Sequence, residues 1–373
     1  MEKTIQRFPI FEAGHVFNKI NREITSKLKS SYISLDYPCR LCAMVIDSSQ
    51  LAYNKSMIFT PGEVGISIEM FIRVTVKVIS NDGGILKISD STKRKSLVKH
   101  AYKLVCNALN VNPSVEITVD DSEIPNHCGF GSSSSTISAV ASAINELYGT
   151  PIKNYELIKY LAGNHGEELS DFDLDRLKSV QCIGGGATSG LIEEGIFIIT
   201  GRSSVISKMS YPGKIIIGLP KSFKKQSAEV LMKLEEENIW KYEQIGKLFK
   251  DKISFDILHH ALPEMLEGKI KSLSEIVFFE RFEIQYDKRF AGGSVDANSF
   301  VCPEMKTIAK KLIPIYKNNR CTMLGLSSVG PAFFVIVENK EDENFCKDIM
   351  EKLGMKIFNS NVCNTTYHIV SKK

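Results

Sequence analysis

The stretch IPNHCGFGSSSSTISAVASAINELYG at 124–149 constrains this chain more than any other. Serine is a mediocre residue inside a helix but a good one at its start, where the hydroxyl can satisfy backbone N–H groups of the first turn. Behind the four serines, Ile137, Val140, Ala141, Ile144 and Leu147 recur at spacings of three and four, which predicts one apolar helix face. Gly149, followed by Thr150 and Pro151, is a stop signal. Upstream, Val115, Ile117 and Val119 alternate with polar residues, as a strand does. A strand, a Gly-Ser loop and a helix start together aim free N–H groups and a positive helix dipole at one point, an arrangement that suits a phosphate. A plain loop with an N-cap has the same pattern. No lysine follows the serines as in a Walker loop, and the glycine spacing is not that of a dinucleotide fingerprint.

Composition narrows the class. A chain of 373 residues suggests two domains or one large one, and its 43% hydrophobic and 24% charged residues are those of an ordinary soluble protein. A net charge of +4, with no Lys/Arg stripe between aromatics, argues against nucleic acid as a partner. No apolar run reaches membrane-spanning length, and the N-terminus lacks the basic start and apolar core of a signal peptide, so no membrane role and a cytoplasmic location are expected. Nine scattered cysteines fit free thiols in a reducing compartment, and Cys39 and Cys42 read as two buried thiols in a strand rather than a zinc site.

Along the chain, 1–30 read as a polar helical extension with Phe8, Phe11 and Phe17 as docking residues. Short β-rich runs fill 32–79, and helices are expected near 93–110 and 154–163, with a strand at 214–220. The second half reads as mostly helical, over 226–250, 255–266, 269–288 and 303–318, with another helix near 342–353 and a final strand. A division near 205–225 follows, giving an extension over 1–30, one domain over 31–210 and a second over 211–373.

Two further glycine clusters stand out. GGGATSG at 184–190 follows no obvious apolar strand and is expected to hold no regular element; its use is close approach of backbone to something. In LGLSSVGPAFFVIV at 324–337 a Gly-Ser turn runs into a fully apolar strand, leaving Ser327 and Ser328 at its mouth. Three such loops, each beside a strong regular element, point to a phosphate-rich ligand.

The loop and helix at 125–148 resemble the phosphate-loop motif of the GHMP small-molecule kinase superfamily, and GLSSVGPAFFVIV resembles its C-terminal glycine motif. Four features are similar to one branch, the β-ribofuranosylaminobenzene 5′-phosphate synthases: PCRLCAMVID at 38–47, the P-x-H-x-G-x-G-S form at 125–132, GGGATSG at 184–190, and LPEMLEGKIKSLSEIVFFERFEIQ at 262–285. They span roughly 35–340 in matching order. The resemblance implies an α+β, GHMP-kinase-like two-domain fold, with a ribosomal-S5-domain-2-like N-terminal domain, a ferredoxin-like C-terminal domain and a site in the cleft between them. It also implies a pentosyltransferase, a decarboxylating C-glycoside synthase dependent on phosphoribosyl pyrophosphate (PRPP), joining an aromatic or heteroaromatic carboxylate to ribose 5-phosphate with release of CO2 and pyrophosphate. Mg2+ is the implied cofactor, and a homodimer is expected.

On that reading Gly129, Gly131, Ser132, Ser133, Ser134 and Ser135 clamp phosphate, joined by Gly186, Thr188, Ser189 and Gly190 and by Ser327 and Ser328. Arg40, matching the family's P-x-R-L arginine, is a candidate for an anionic group or a plain surface residue. His127 donates to phosphate or to the loop backbone. Asp47 holds Mg2+ or caps a turn, and Asp296 is a weaker candidate of the same kind. The chain departs from the family at Cys42, where a histidine is usual, at Gly185, where an arginine is usual, and after the first strand, where only Gly62 and Gly65 remain of a glycine-rich stretch. Either the acceptor differs, or positive charge comes from elsewhere, such as Lys55 or Arg202, or activity is lost. An ATP-dependent small-molecule kinase and an inactive sugar-phosphate-binding relative are the alternatives.

Overall fold

The computed structural model describes residues 9–52, 61–170, 173–179, 184–224, 226–287 and 290–373. Up to the middle of the chain the elements are β1 (Ile10–Glu12), β2 (Tyr32–Val45), β3 (Glu63–Gly83), β4 (Leu86–Ile88), α1 (Lys95–Leu109), β5 (Pro113–Asp120), α2 (Ser132–Leu147), α3 (Asn154–Gly163), β6 (Glu167–Glu168), β7 (Arg176–Lys178), α4 (Gly185–Leu191), β8 (Ile196–Thr200) and β9 (Ser204–Met209). There follow β10 (Lys214–Pro220), α5 (Ala228–Asp256), α6 (Leu262–Leu266), α7 (Lys271–Phe278), β11 (Gln285–Asp287), β12 (Phe290–Ala291), α8 (Gly293–Ala297), α9 (Met305–Lys317), β13 (Met323–Leu326), β14 (Phe333–Val337), α10 (Lys340–Lys352), β15 (Met355–Asn361) and β16 (His368–Lys372).

The larger sheet runs β16-β2-β3-β5-β4, with β8 pairing β3 and β9 pairing β8. β2 and β3 are long and apolar on the face that α2 and α4 cover, with α1 packed against α2; Leu35, Tyr37, Leu41, Ile66, Val74 and Val76 are wholly buried. The smaller sheet, β13-β14-β10-β15, is antiparallel throughout. Its other face packs on α9 and α10 through Met305, Leu312, Cys346 and Met350. The last strand, β16, leaves the smaller sheet's half and pairs with β2 in the larger one.

Two sequence expectations fail. Among the described residues, 9–30 hold no helix: β1 pairs with β7, and the rest runs as an extended strap over α1 and α3. Val16, Ile20, Ile24 and Leu28 are four apart, a spacing that puts residues on one face of a helix and equally on one face of an extended chain. Phe11 and Phe17 do dock, edge to face with ring centroids 5.0 Å apart, while Phe8 lies outside the described residues. The expected helix over 269–288 ends at Glu283 after a π turn at Phe279–Glu283 and gives way to β11.

Candidate active site

The loop between β5 and α2 carries left-handed backbone at His127 (φ 56°), Gly129 (φ 97°) and Gly131 (φ 66°). Gly131 is the N-cap of α2, so the serines do not cap the helix: they form its first turn. The N–H groups of Ser132, Ser133 and Ser134 therefore have no acceptor within the helix and point out of its N-terminus. Their hydroxyls are ordered by neighbours. Ser134 Oγ donates to the Gly131 carbonyl (3.0 Å), and the Arg94 guanidinium donates to Ser132 Oγ (3.3 Å), Ser133 Oγ (3.0 Å) and Thr136 Oγ1 (3.0 Å). Ser135 is wholly buried beside the Cys39 thiol, so it faces the core and not a ligand. The absence of side chains at the two glycines is structural necessity. A Cβ on Gly131 would lie 3.1 Å from Arg40 Cγ, and one on Gly129 would lie 2.7 Å from the Ser327 carbonyl oxygen.

The third glycine motif locks this loop through Ser327 and lines the cavity through Ser328. Ser327 Oγ donates to the Gly129 carbonyl (2.5 Å) and accepts from the Cys42 N–H (3.0 Å), and its side chain is wholly buried. The Ser328 N–H donates to the Cys42 carbonyl (2.9 Å), and Ser328, with φ 54°, does reach the cavity. The second cluster is a helix, contrary to expectation. Gly184 enters α4 with φ 94°, and the helix packs behind α2 and β2. A Cβ on Gly186 would lie 1.9 Å from Ser134 Oγ, and one on Gly190 would lie 2.3 Å from the Tyr37 ring. The close backbone approach is thus to protein. Gly186, Thr188, Ser189 and Gly190 are buried; Thr188 Oγ1 donates to the Gly184 carbonyl (2.8 Å) and Ser189 Oγ to that of Pro38 (3.0 Å).

The α2 N-terminus opens into a cavity of about 250 Å3 whose near wall includes Arg40, His127 and Ser132–Ser134. Its far wall is α5, through Leu231, Glu235, Ile239 and Tyr242, with Arg281 and the 328–330 turn closing the side. Arg40 Nε lies 3.2 Å from Oε1 of the wholly buried Glu63. Arg281 is fixed by donating to the carbonyls of Ala43 (2.6 Å) and Cys42 (3.1 Å) and to Ser294 Oγ (2.9 Å), beside the buried Glu280. Burial raises the Glu280 carboxyl, with Arg281 opposing. Burial also pushes Glu235 up to about 7, with Glu167 and Glu236 adding repulsion, and brings His165, which also lines the cavity, down to about 4. The Cys42 thiol, where the resembled family has histidine, is pushed up to about 12 by burial, so it exchanges no proton near neutrality.

Beside the cradle, one ligand atom each of His127, Glu167 and Glu168 lie within 4.8 Å of one another, with His127 Nε2 3.6 Å from Glu168 Oε1. Glu168 Oε2 is buried without a hydrogen-bond partner. Two carboxylates fit a hard cation such as Mg2+, and the imidazole adds a donor that softer divalent ions accept. Asp47 is elsewhere. Its Oδ1 accepts from the Ser49 N–H (3.0 Å) and Ser49 Oγ (2.5 Å), which is the turn-capping alternative, and it does not line the cavity. Asp296 pairs with Lys306, also off the cavity wall. Gly62 and Gly65 pack against Ile46 and Phe197. Arg202 is exposed in the β8–β9 turn, and Lys55 lies outside the described residues. Of the three arginines at the cradle, the sequence marks only Arg40; Arg94 merely precedes a helix, and Arg281 lies inside the FFERFEIQ segment without a spacing that marks it.

The chain has the α+β fold of the GHMP kinases. Residues 96–171 match the GHMP kinases N terminal domain. Mevalonate diphosphate decarboxylase from Staphylococcus aureus superposes with a TM-score of 0.60 at 15% identity, covering 91% of this chain and 98% of that one. Homoserine kinase from Cytophaga hutchinsonii ATCC 33406 gives 0.58 at 12%, covering 92% and 99%, and L. major mevalonate kinase 0.55 at 12%, covering 92% and 100%. No curated protein matches the sequence. These likenesses carry the fold and do not single out the C-glycoside synthase branch.

Proposed function

We propose that this chain is a PRPP-dependent, decarboxylating C-glycoside synthase. One observation carries the reading: a helix N-terminus with three ordered serines, two arginines, and His127 and Glu167 of the His-Glu-Glu cluster share one small cavity with an apolar wall, with Glu168 buried beside it. Pyrophosphate suits the first-turn N–H groups of α2, and Arg40 and Arg281 add positive charge where the leaving group gains negative charge. Mg2+, when bound at Glu167 and Glu168 with His127 beside them, would supply charge neutralisation for the diphosphate. The apolar side chains Leu231, Ile239 and Val329 with the Tyr242 ring offer a face for an aromatic acid and exclude water from the sugar cation. The bond from ribose C1 to pyrophosphate breaks, and the ring carbon bearing the carboxylate bonds to C1. The carbon–carboxylate electron pair then returns to the ring as CO2 leaves. No net proton is transferred, so a Cys42 that exchanges none is compatible.

A kinase reading draws support from the fold alone. Among the described residues, the cavity wall carries no aspartate and no lysine to activate a hydroxyl. Calorimetry separates the two: PRPP with Mg2+ is expected to bind and ATP with Mg2+ is not. A panel of aromatic and heteroaromatic acids is then scored for pyrophosphate release. ATP binding without PRPP binding contradicts the proposal, and PRPP binding with no release from any acid favours the inactive relative.

A further inference from the structure

Behind the cradle lies a charged pair that this chemistry leaves unused. Glu63 begins β3, facing Ile199 across β8 and Val45 across β2, and is wholly buried. Gly185 at the start of α4 covers the carboxylate so closely that a Cβ there would sit 2.5 Å from both oxygens. The space next to the backbone position where the resembled family has an arginine is therefore filled by an acid from another strand. Among the described residues, the polar groups around that acid include Arg40 and the Cys42 thiol from β2, Arg281 from the π turn after α7, and the Gly185 backbone from α4. Arg40 faces two ways, with its Nε 3.2 Å from Glu63 and the rest of its side chain passing Gly131 onto the cavity.

We propose that Arg40 and Glu63 form a proton-coupled anion receptor: an anionic oxygen, of phosphate or of carboxylate, that takes the cavity side of the Arg40 guanidinium draws one proton from solvent onto Glu63. Arg40 is the main charge that offsets the buried carboxylate, with Arg281 a lesser one that is already held beside Glu280. A second anion on the same guanidinium leaves an uncompensated negative charge where water is excluded, which is unfavourable. The buried carboxylate is the partner that can shed its charge. Burial already raises Glu63, with Arg40 as the main opposing influence, so sharing Arg40 tips the balance. The proton returns to solvent when the anion leaves. This rests on the anion-binding reading above, and it gives Glu63 a positioning role that fixes how the affinity depends on pH.

The test is calorimetry of wild type and Glu63→Gln with Mg2+-pyrophosphate and, separately, benzoate, each in buffers of different ionisation enthalpy. Wild type is expected to take up a proton with at least one probe, and its affinity to fall by up to tenfold per unit as pH rises. Uptake with pyrophosphate alone assigns the cavity face of Arg40 to phosphate; uptake with benzoate assigns it to the acceptor's carboxylate. Glu63→Gln is expected to lose the extra proton and the pH slope while keeping the binding. Binding by wild type without uptake, or the same uptake in Glu63→Gln, overturns the receptor and leaves the anion site standing. If neither probe binds, both the receptor and the anion site are overturned. If Glu63→Gln does not fold, infrared difference spectra of wild type and Glu63→Asp decide the matter. A protonated-carboxyl band is expected on anion binding, shifted in the Asp variant, and an unshifted or absent band contradicts the proposal.

Discussion

At the scale of residues, the cradle depends on positions without side chains and on cations that the sequence does not advertise. Gly129 and Gly131 were legible as members of an anion-binding loop, and the structure adds why they are glycines: left-handed backbone with neighbours at 2.7–3.1 Å from any Cβ. The serines were legible as a helix start but not in their roles, since helix phase decides that Ser132 and Ser133 meet Arg94 while Ser135 faces the core. Arg94 and Glu63 reach the site from other elements, and nothing local in their surroundings says so. Ser133 caps nothing, but its Oγ accepts from the buried Arg94 guanidinium, so Ser133→Ala is expected to lower apo stability by about 1–3 kcal/mol in denaturant titrations. Losing a charge-assisted bond to pyrophosphate is expected to weaken its binding by about 1.5–3 kcal/mol, read by calorimetry. Unchanged affinity would remove the hydroxyl from the clamp.

At the scale of elements, the apolar helices and strands were readable from periodicity: α1, α2, α3 and β10 fall where the spacing puts them. GGGATSG was not readable as a helix because glycine's local preference opposes it. Tertiary packing overrides that preference: α4 must approach α2 and the Tyr37 ring, and Tyr37 in turn donates to the Ala187 carbonyl (2.6 Å). Gly190→Ala is therefore expected to destabilise the fold by about 1–3 kcal/mol in denaturant titrations, through overpacking against a rigid buried ring. Anion affinity of the folded fraction is expected to stay unchanged, since Gly190 lies off the cavity. A stable variant that loses binding instead would place the second glycine cluster at the ligand.

At the scale of the whole molecule, the two sheets share one continuous core, and both chain ends are tied to the larger half, the strap at 9–31 and β16. His100 anchors the strap: its Nδ1 accepts from the Gly14 N–H (2.8 Å), and its Nε2 lies 2.6 Å from the Asn164 carbonyl. That pairing requires the neutral ring, and burial holds His100 at about 4 instead of 6.5. Between those values the unfolded chain binds a proton that the folded chain refuses, so stability falls as pH drops from about 6.5 towards 4, by on the order of 3 kcal/mol from this group. His165, also held at about 4, adds to the loss, while the raised Glu63 and Glu280 carboxyls oppose it. His100→Asn is expected to flatten the acid limb of midpoint against pH, and hydrogen exchange in 13–31 is expected to rise first as wild type is acidified. An acid limb identical in the variant would contradict the anchor.

The central claim is that the α2 N-terminus is the diphosphate site of a PRPP-using enzyme, and melting curves test it most directly. With Mg2+ and PRPP at about 100 times the dissociation constant, wild type gains about 2.7 kcal/mol of apparent stability and its midpoint rises. Gly131→Val puts a branched side chain against Arg40 at a left-handed position, closing the approach to the first-turn N–H groups. The account predicts a cooperative apo transition in this variant and no rise on adding PRPP. A full rise in Gly131→Val, equal to that of wild type, would contradict it.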